Sequence, residues 1–197
     1  MYNRLLCILC TVFMVFFTCA CGSSVEQFDE TTLSIGKKGS VSETIVDGFD
    51  KDYYDVNELK NEFDAAISEY NSGKEEDSVV LKGIVCENNQ VHASLDFSSF
   101  DDYEAFQNEE IFLGSISDAY DAGYSMDVTL KGVGEGDKIG KEDLMNNKDN
   151  SILIISEPVL VNTYSKILYV SANVEVIDDK QARISSESEG LAYLILK

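Results

Sequence analysis

Tryptophan is missing from this 197-residue chain, histidine and proline occur once each, and 15 basic residues stand against 36 acidic ones. Each shortage closes off a class of function. The net charge of −21 excludes a nucleic-acid-binding surface, because phosphate recognition needs basic stripes that release counterions. A single histidine, with one cysteine (Cys86) beyond residue 21, cannot supply a four-ligand zinc site. Cys86 also has no partner for a disulfide within the body of the chain. The lack of tryptophan weakens a carbohydrate-binding reading, since sugar faces often stack on indole; ten tyrosines keep it open. No apolar run reaches the ~20 residues of a membrane-spanning helix. Apolar residues nevertheless make up 44% of the chain, and a chain of this length can bury a sizeable core.

The longest apolar run is Leu5 to Phe17, interrupted only by the hydroxyl of Thr11 and preceded by one positive residue, Arg4. Thirteen residues is the length of a signal-peptide hydrophobic region. A buried N-terminal helix of a cytosolic protein is the competing reading. It fits less well a run that is apolar all round and gives way at once to small and then polar residues.

Thr18-Cys19-Ala20-Cys21-Gly22-Ser23-Ser24 follows. This stretch resembles the lipobox of bacterial lipoproteins, in which a small residue precedes a cysteine that receives diacylglycerol and becomes the new N-terminus. Ala20 matches the small position and Cys21 the lipidated cysteine. Thr18 stands where the family usually has leucine, and Cys19 is a second candidate with a poorer small-residue context. The resemblance implies a signal peptide over residues 1–20, a short tether over 21–30, and an extracytoplasmic domain held to the membrane by lipid. Removal of the leader takes Arg4 and no acid, so the net charge moves from −21 to −22. Such a body is repelled by anionic headgroups, leaving the lipid as the attraction.

The body reads as one domain over residues 31–197. Thr31 to Ile35 and Val41 to Phe49 form a hairpin pattern around Gly36 to Ser40. Asp55-Val-Asn-Glu58 resembles a capping box and opens a helix whose apolar stripe is Val56, Leu59, Phe63, Ala66, Ile67 and Tyr70. Val79 to Cys86 and Val91 to Phe97 make a second hairpin. Ser98 or Ser99 caps a short helix through Phe106, and Ser115 to Asp118 caps another that ends at Gly123. Ser125 to Lys131 alternates with Met126, Val128 and Leu130 inward, and Glu142 to Asn146 suggests a helical turn. After Ser151 six short β-rich runs follow. The expected class is α+β: mostly antiparallel sheet, one long amphipathic helix, and two or three short helices. Phrases such as Val41 to Phe49, Asp52 to Leu59 and Lys166 to Val176 resemble those of small Gram-positive surface lipoproteins, a resemblance that implies no activity.

The catalytic templates fail on spacing. His92, Ser94 and Asp96 share one strand face at i, i+2, ~7 Å apart, beyond a direct relay, so a solvated polar face is expected. Gly123 to Asp127 lacks the final glycine of a nucleophile elbow, and Ser34 to Lys37 matches S-x-x-K with no companion motif. Gly132-Val-Gly134-Glu-Gly136 has neither the dinucleotide nor the Walker spacing, and its acids repel phosphate. Cys86 ends an apolar strand with no neighbouring base, which reads as a buried, inert thiol.

Carboxylates are the excess. The densest group is Asp47, Asp50, Asp52, Asp55 and Glu58, whose spacing misses the EF-hand pattern. A solvated loop with a helix cap is one reading; weak extracellular calcium binding by Asp47, Asp50, Asp52 and Asp55 is the sharper one. No other cofactor is implied. The favoured function is a membrane-anchored, non-enzymatic binding or envelope-associated module with an envelope protein or ligand as partner. The alternatives are a carboxylate-dependent hydrolase acting on cell-wall or glycan material, and a small solute-binding lipoprotein of a transporter.

Overall fold

The computed structural model describes residues 25–134, 136–187 and 190–197. The leader and Cys21 lie outside the described residues. The described chain opens on a hairpin, β1 (Thr32–Ile35) and β2 (Val41–Gly48), then α1 (Val56–Asn71). A second hairpin, β3 (Val79–Glu87) and β4 (Gln90–Phe97), leads to α2 (Phe100–Gln107), β5 (Ile111–Ser115) and α3 (Ile116–Asp121). The short strands β6 (Leu130–Gly132) and β7 (Lys138–Ile139) precede α4 (Lys141–Asn146). Six strands follow: β8 (Ser151–Ile155), β9 (Leu160–Asn162), β10 (Ile167–Val170), β11 (Val174–Val176), β12 (Gln181–Ile184) and β13 (Ala192–Leu196).

These strands form two sheets, ordered β11-β12-β9-β1-β2-β4-β3 and β5-β8-β13-β10-β6-β7. All pairings are antiparallel except β1 with β9. Alternate residues of both sheets meet in a shared core: Leu33, Leu95 and Phe97 from the first, Leu153, Leu194 and Leu196 from the second. The far face of the second sheet is covered as well. Ile152, Ile154, Tyr193 and Ile195 pack there against Ile116 and Ala119 of α3, Leu144 of α4 and the segment carrying Met126. Burial on both faces explains why β8 and β13 read as unbroken apolar runs.

The expected α+β class is overturned. The described residues hold thirteen strands in two sheets, and only α1 and α2 of the four helices exceed six residues. The fold is mostly β. The helix expected after Asp55 is present, and Asp55 Oδ1 accepts from the Asn57 and Glu58 amides. But α1 buries no residue fully; Phe63, Ile67 and Tyr70 rest half-buried on the rim of the inter-sheet core. Its apolar stripe covers the free edge of β3 and organises no core of its own. Ser125 to Lys131 is a second correction. Met126 and Leu130 are buried as the alternation requires, yet strand pairing begins only at Leu130, so the preceding residues are an extended cover over the sheet.

Asn71, the last residue of α1, closes that edge. Its side-chain oxygen accepts from the Ser78 and Val79 amides, both at 3.1 Å, and its amide donates to the Val79 carbonyl at 2.8 Å. Asn71→Ala leaves three backbone groups to find water, and the expected loss is about 1–3 kcal/mol. Hydrogen exchange at Val79 checks it: faster exchange there, with β13 amides unchanged, is the expected pattern. Across the β3–β4 turn, Asn88 and Asn89 both take positive φ (52° and 63°), the geometry of a tight two-residue hairpin.

Candidate functional site

Residues 25–30, expected as tether, are docked with Thr31 on the first sheet. Thr31 Oγ1 bridges the amide and carbonyl of Val46 on β2. Glu30 takes a forked contact from Arg183 of β12, with Nη2 at 2.6 Å and Nε at 3.0 Å, and Arg183 Nη1 holds Glu175 of β11 at 3.0 Å. The Arg183 hydrogen bond keeps the Glu30 carboxyl below its ordinary range. At the other end, Gln27 donates to Glu87 at the close of β3. Val46 pairs with His92, and Glu87 pairs with Gln90, two residues before it at the start of β4. The arm therefore crosses the outward face of β2 and β4 at the level of His92.

This crossing corrects the solvated-face expectation for β4. His92 is 7% exposed, and its Nδ1 is buried without a hydrogen-bond partner. Thr32 and Thr44, cross-strand partners on the same face, are buried too. Further along, Asp96 accepts from Ser42 at 2.7 Å and pairs with Lys82 at 3.3 Å. Ser94 faces Thr44 on the neighbouring strand. No relay joins the three residues.

The arm ends beside the acidic loop. The Phe49 amide donates to the Asn89 carbonyl at 2.7 Å, which ties the loop after β2 to the β3–β4 turn next to Glu87. Phe49 and Tyr54 have ring centroids 5.0 Å apart, and Tyr54 meets Tyr53 edge-on at 5.0 Å. Tyr53 is 76% exposed and Tyr54 42%. Of the four calcium candidates, Asp47 accepts from the Gly48 amide, Asp50 pairs with Lys51 at 3.1 Å, Asp55 caps α1, and Asp52 lies in the exposed turn. Local backbone and Lys51 engage three of them separately, and among the described residues no three acidic, histidine or cysteine side chains converge as a metal site would need.

A second acidic group was not foreseen from the sequence. Glu43 lies on the inward face of β2, opposite Leu33 and Leu95, and is only 2% exposed. Gln107 of α2 donates to its carboxylate. Burial, reinforced by the charge of Glu157, pushes the Glu43 carboxyl up to about 7. Tyr103, fully buried on α2, donates to Glu157, whose carboxyl is raised by burial. Ser156 donates to Glu109 at 2.7 Å. A carboxyl near neutrality beside a second one is what general acid chemistry uses. Here it is enclosed between the sheets, and the described surface grooves are lined by other residues. The signal for it was the parity of β2: Val41 and Ile45 face inward, so Glu43 between them must as well.

The glycine-rich loop is a turn joining β6 to β7, with Gly134 and Gly136 at φ of 108° and 75°. Cys86 is exposed, contrary to the expected burial, and partial desolvation raises its thiol away from the thiolate. No helix among the described residues is long and apolar enough to cross a membrane. Set against protein-family models, curated proteins and solved structures, the chain matches none.

Proposed function

We propose that this chain is a bacterial lipoprotein whose domain works outside the cytoplasm as a binding module of the envelope. One observation carries the reading: the order Arg4, the apolar run Leu5 to Phe17, Ala20, Cys21, then Gly22-Ser23-Ser24. Diacylglycerol on Cys21 supplies two acyl chains, and two are needed for stable anchoring. The docked arm sets the geometry of attachment. Five residues separate Cys21 from Gln27, and the six steps between them span at most about 20 Å when extended. The end of the first sheet carrying Glu87, Phe49 and Tyr53 is thereby held near the bilayer. A binding role is favoured over hydrolysis because Glu43, whose carboxyl burial pushes up to about 7, is only 2% exposed between the sheets.

The test is metabolic labelling with radioactive palmitate. Cys21→Ser is expected to remove the label and move the protein from the membrane to the soluble fraction, while Cys19→Ser changes neither. Label retained on the Cys21→Ser protein, with unaltered fractionation, refutes the anchor.

A further inference from the structure

We propose that the aromatic tip formed by the exposed Tyr53 and Tyr54, backed by the half-buried Phe49, is a docking surface for a lysine- or arginine-rich protein segment. Three rings in contact in series at a loop end, tilted and then edge-on, with Tyr53 76% and Tyr54 42% in water, form the kind of exposed apolar patch that marks an interaction site. Aromatic rings with a polar tip are enriched where proteins meet partners. The loop that carries them decides the sign of the partner. Between Asp47 and Glu58 it holds five carboxylates and one lysine, and that lysine, Lys51, already pairs with Asp50.

The fold contains a worked instance of the contact proposed. Just beyond the end of α1, Lys74 Nζ sits 3.7 Å from the centroid of the Tyr70 ring and 2.7 Å from Asp102 Oδ1, while Tyr70 donates to the same carboxylate at 3.0 Å. An ammonium is shared there between a phenol face and an acid. Tyr53 with the adjacent Asp52 offers the same two chemistries outward, with the cation left for a partner to bring. A lipid surface is the less suitable occupant, since the carboxylates that flank the rings are repelled by anionic headgroups. A second copy of the chain is disfavoured by the same charge.

This deepens the reading as a binding module, and its test is separate from acyl labelling, which reports on the anchor alone. The full chain in a neutral detergent is titrated with a fluorescent lysine–glycine repeat peptide at low ionic strength, followed by anisotropy. A chain of −21 attracts any cation diffusely, so neutral substitutions carry the discrimination. Tyr53→Leu, which keeps bulk and removes the ring, is expected to weaken binding about five- to tenfold. Tyr53→Phe keeps wild-type affinity, and Asp52→Asn weakens it. Tyr120→Leu, at an exposed tyrosine on α3, has no effect. Equal affinity for wild type, Tyr53→Leu and Tyr120→Leu overturns the proposal by showing diffuse attraction. Zwitterionic vesicle binding, or dimerisation in sedimentation, that is lost in Tyr53→Leu while peptide affinity is unchanged assigns the tip to a bilayer or a second copy, and overturns it too.

Discussion

Glu43→Gln is expected to stabilise the protein by about 2–3 kcal/mol at pH 8 and to leave it nearly unchanged at pH 5. The carboxyl is held at about 7 in the folded chain, against 4.5 as its ordinary value. The folded state therefore binds this proton more tightly than the unfolded state does. Stability contributed by the protonated acid is complete below about 4.5, falls as pH rises, and is exhausted above about 7. Burial of Glu157 shifts its carboxyl in the same direction and adds to the slope. Glu30, Asp102 and Asp118 have the opposite sign, because their carboxyls are held low; what they contribute is lost as pH falls through their lowered values, below this window. Glutamine at position 43 keeps the acceptor for Gln107 and carries no charge at any pH. Urea unfolding followed by far-UV circular dichroism at pH 5, 6, 7 and 8 reads the effect. Wild-type stability that stays flat or rises across this range, or a variant with the wild-type slope, would falsify the account.

Glu43 also shows where sequence reasoning stopped. Hairpin positions, the cap at Asp55 and the six terminal strands were legible because turn residues and period-two alternation are local signals. The class was not, because periodicity reports a face and says nothing of what covers it. The apolar stripe on α1 is visible in its spacing, but spacing does not show that Phe63 and Ile67 reach only the rim. β5 went unread: Ile111 to Ser115 is short, and its pairing with β8 is a contact between residues about forty positions apart. His92 lies on the face that alternation assigns it but is buried there, because the arm that crosses the sheet at its level is distant in sequence. The acids at 47, 50, 52 and 55 attracted attention by density. Glu43, isolated between Val41 and Ile45, carried the stronger physical signal, a charge at a position that alternation sends inward.

Leu194→Ala is expected to destabilise the fold by about 4 kcal/mol, and Ile67→Ala by only about 1 kcal/mol. The two side chains are of equal size, so the difference rests on where each lies. Leu194 is fully buried at the middle of β13, between Leu153 of β8 and Val170 of β10, and it points into the space shared by both sheets. Truncation there leaves a cavity that two hydrogen-bonded neighbours on rigid strands cannot close. Ile67 lies half-buried on α1, where solvent and adjoining side chains fill the vacated volume. Denaturant midpoints of the two variants at pH 5, where Glu43 is protonated, separate packing from charge. The reverse order, with Ile67→Ala the more damaging, would show that the helix organises the core and that the paired sheets do not. Because α1 begins where the aromatic loop ends, the same order means that changes at the tip can alter recognition with little loss of stability.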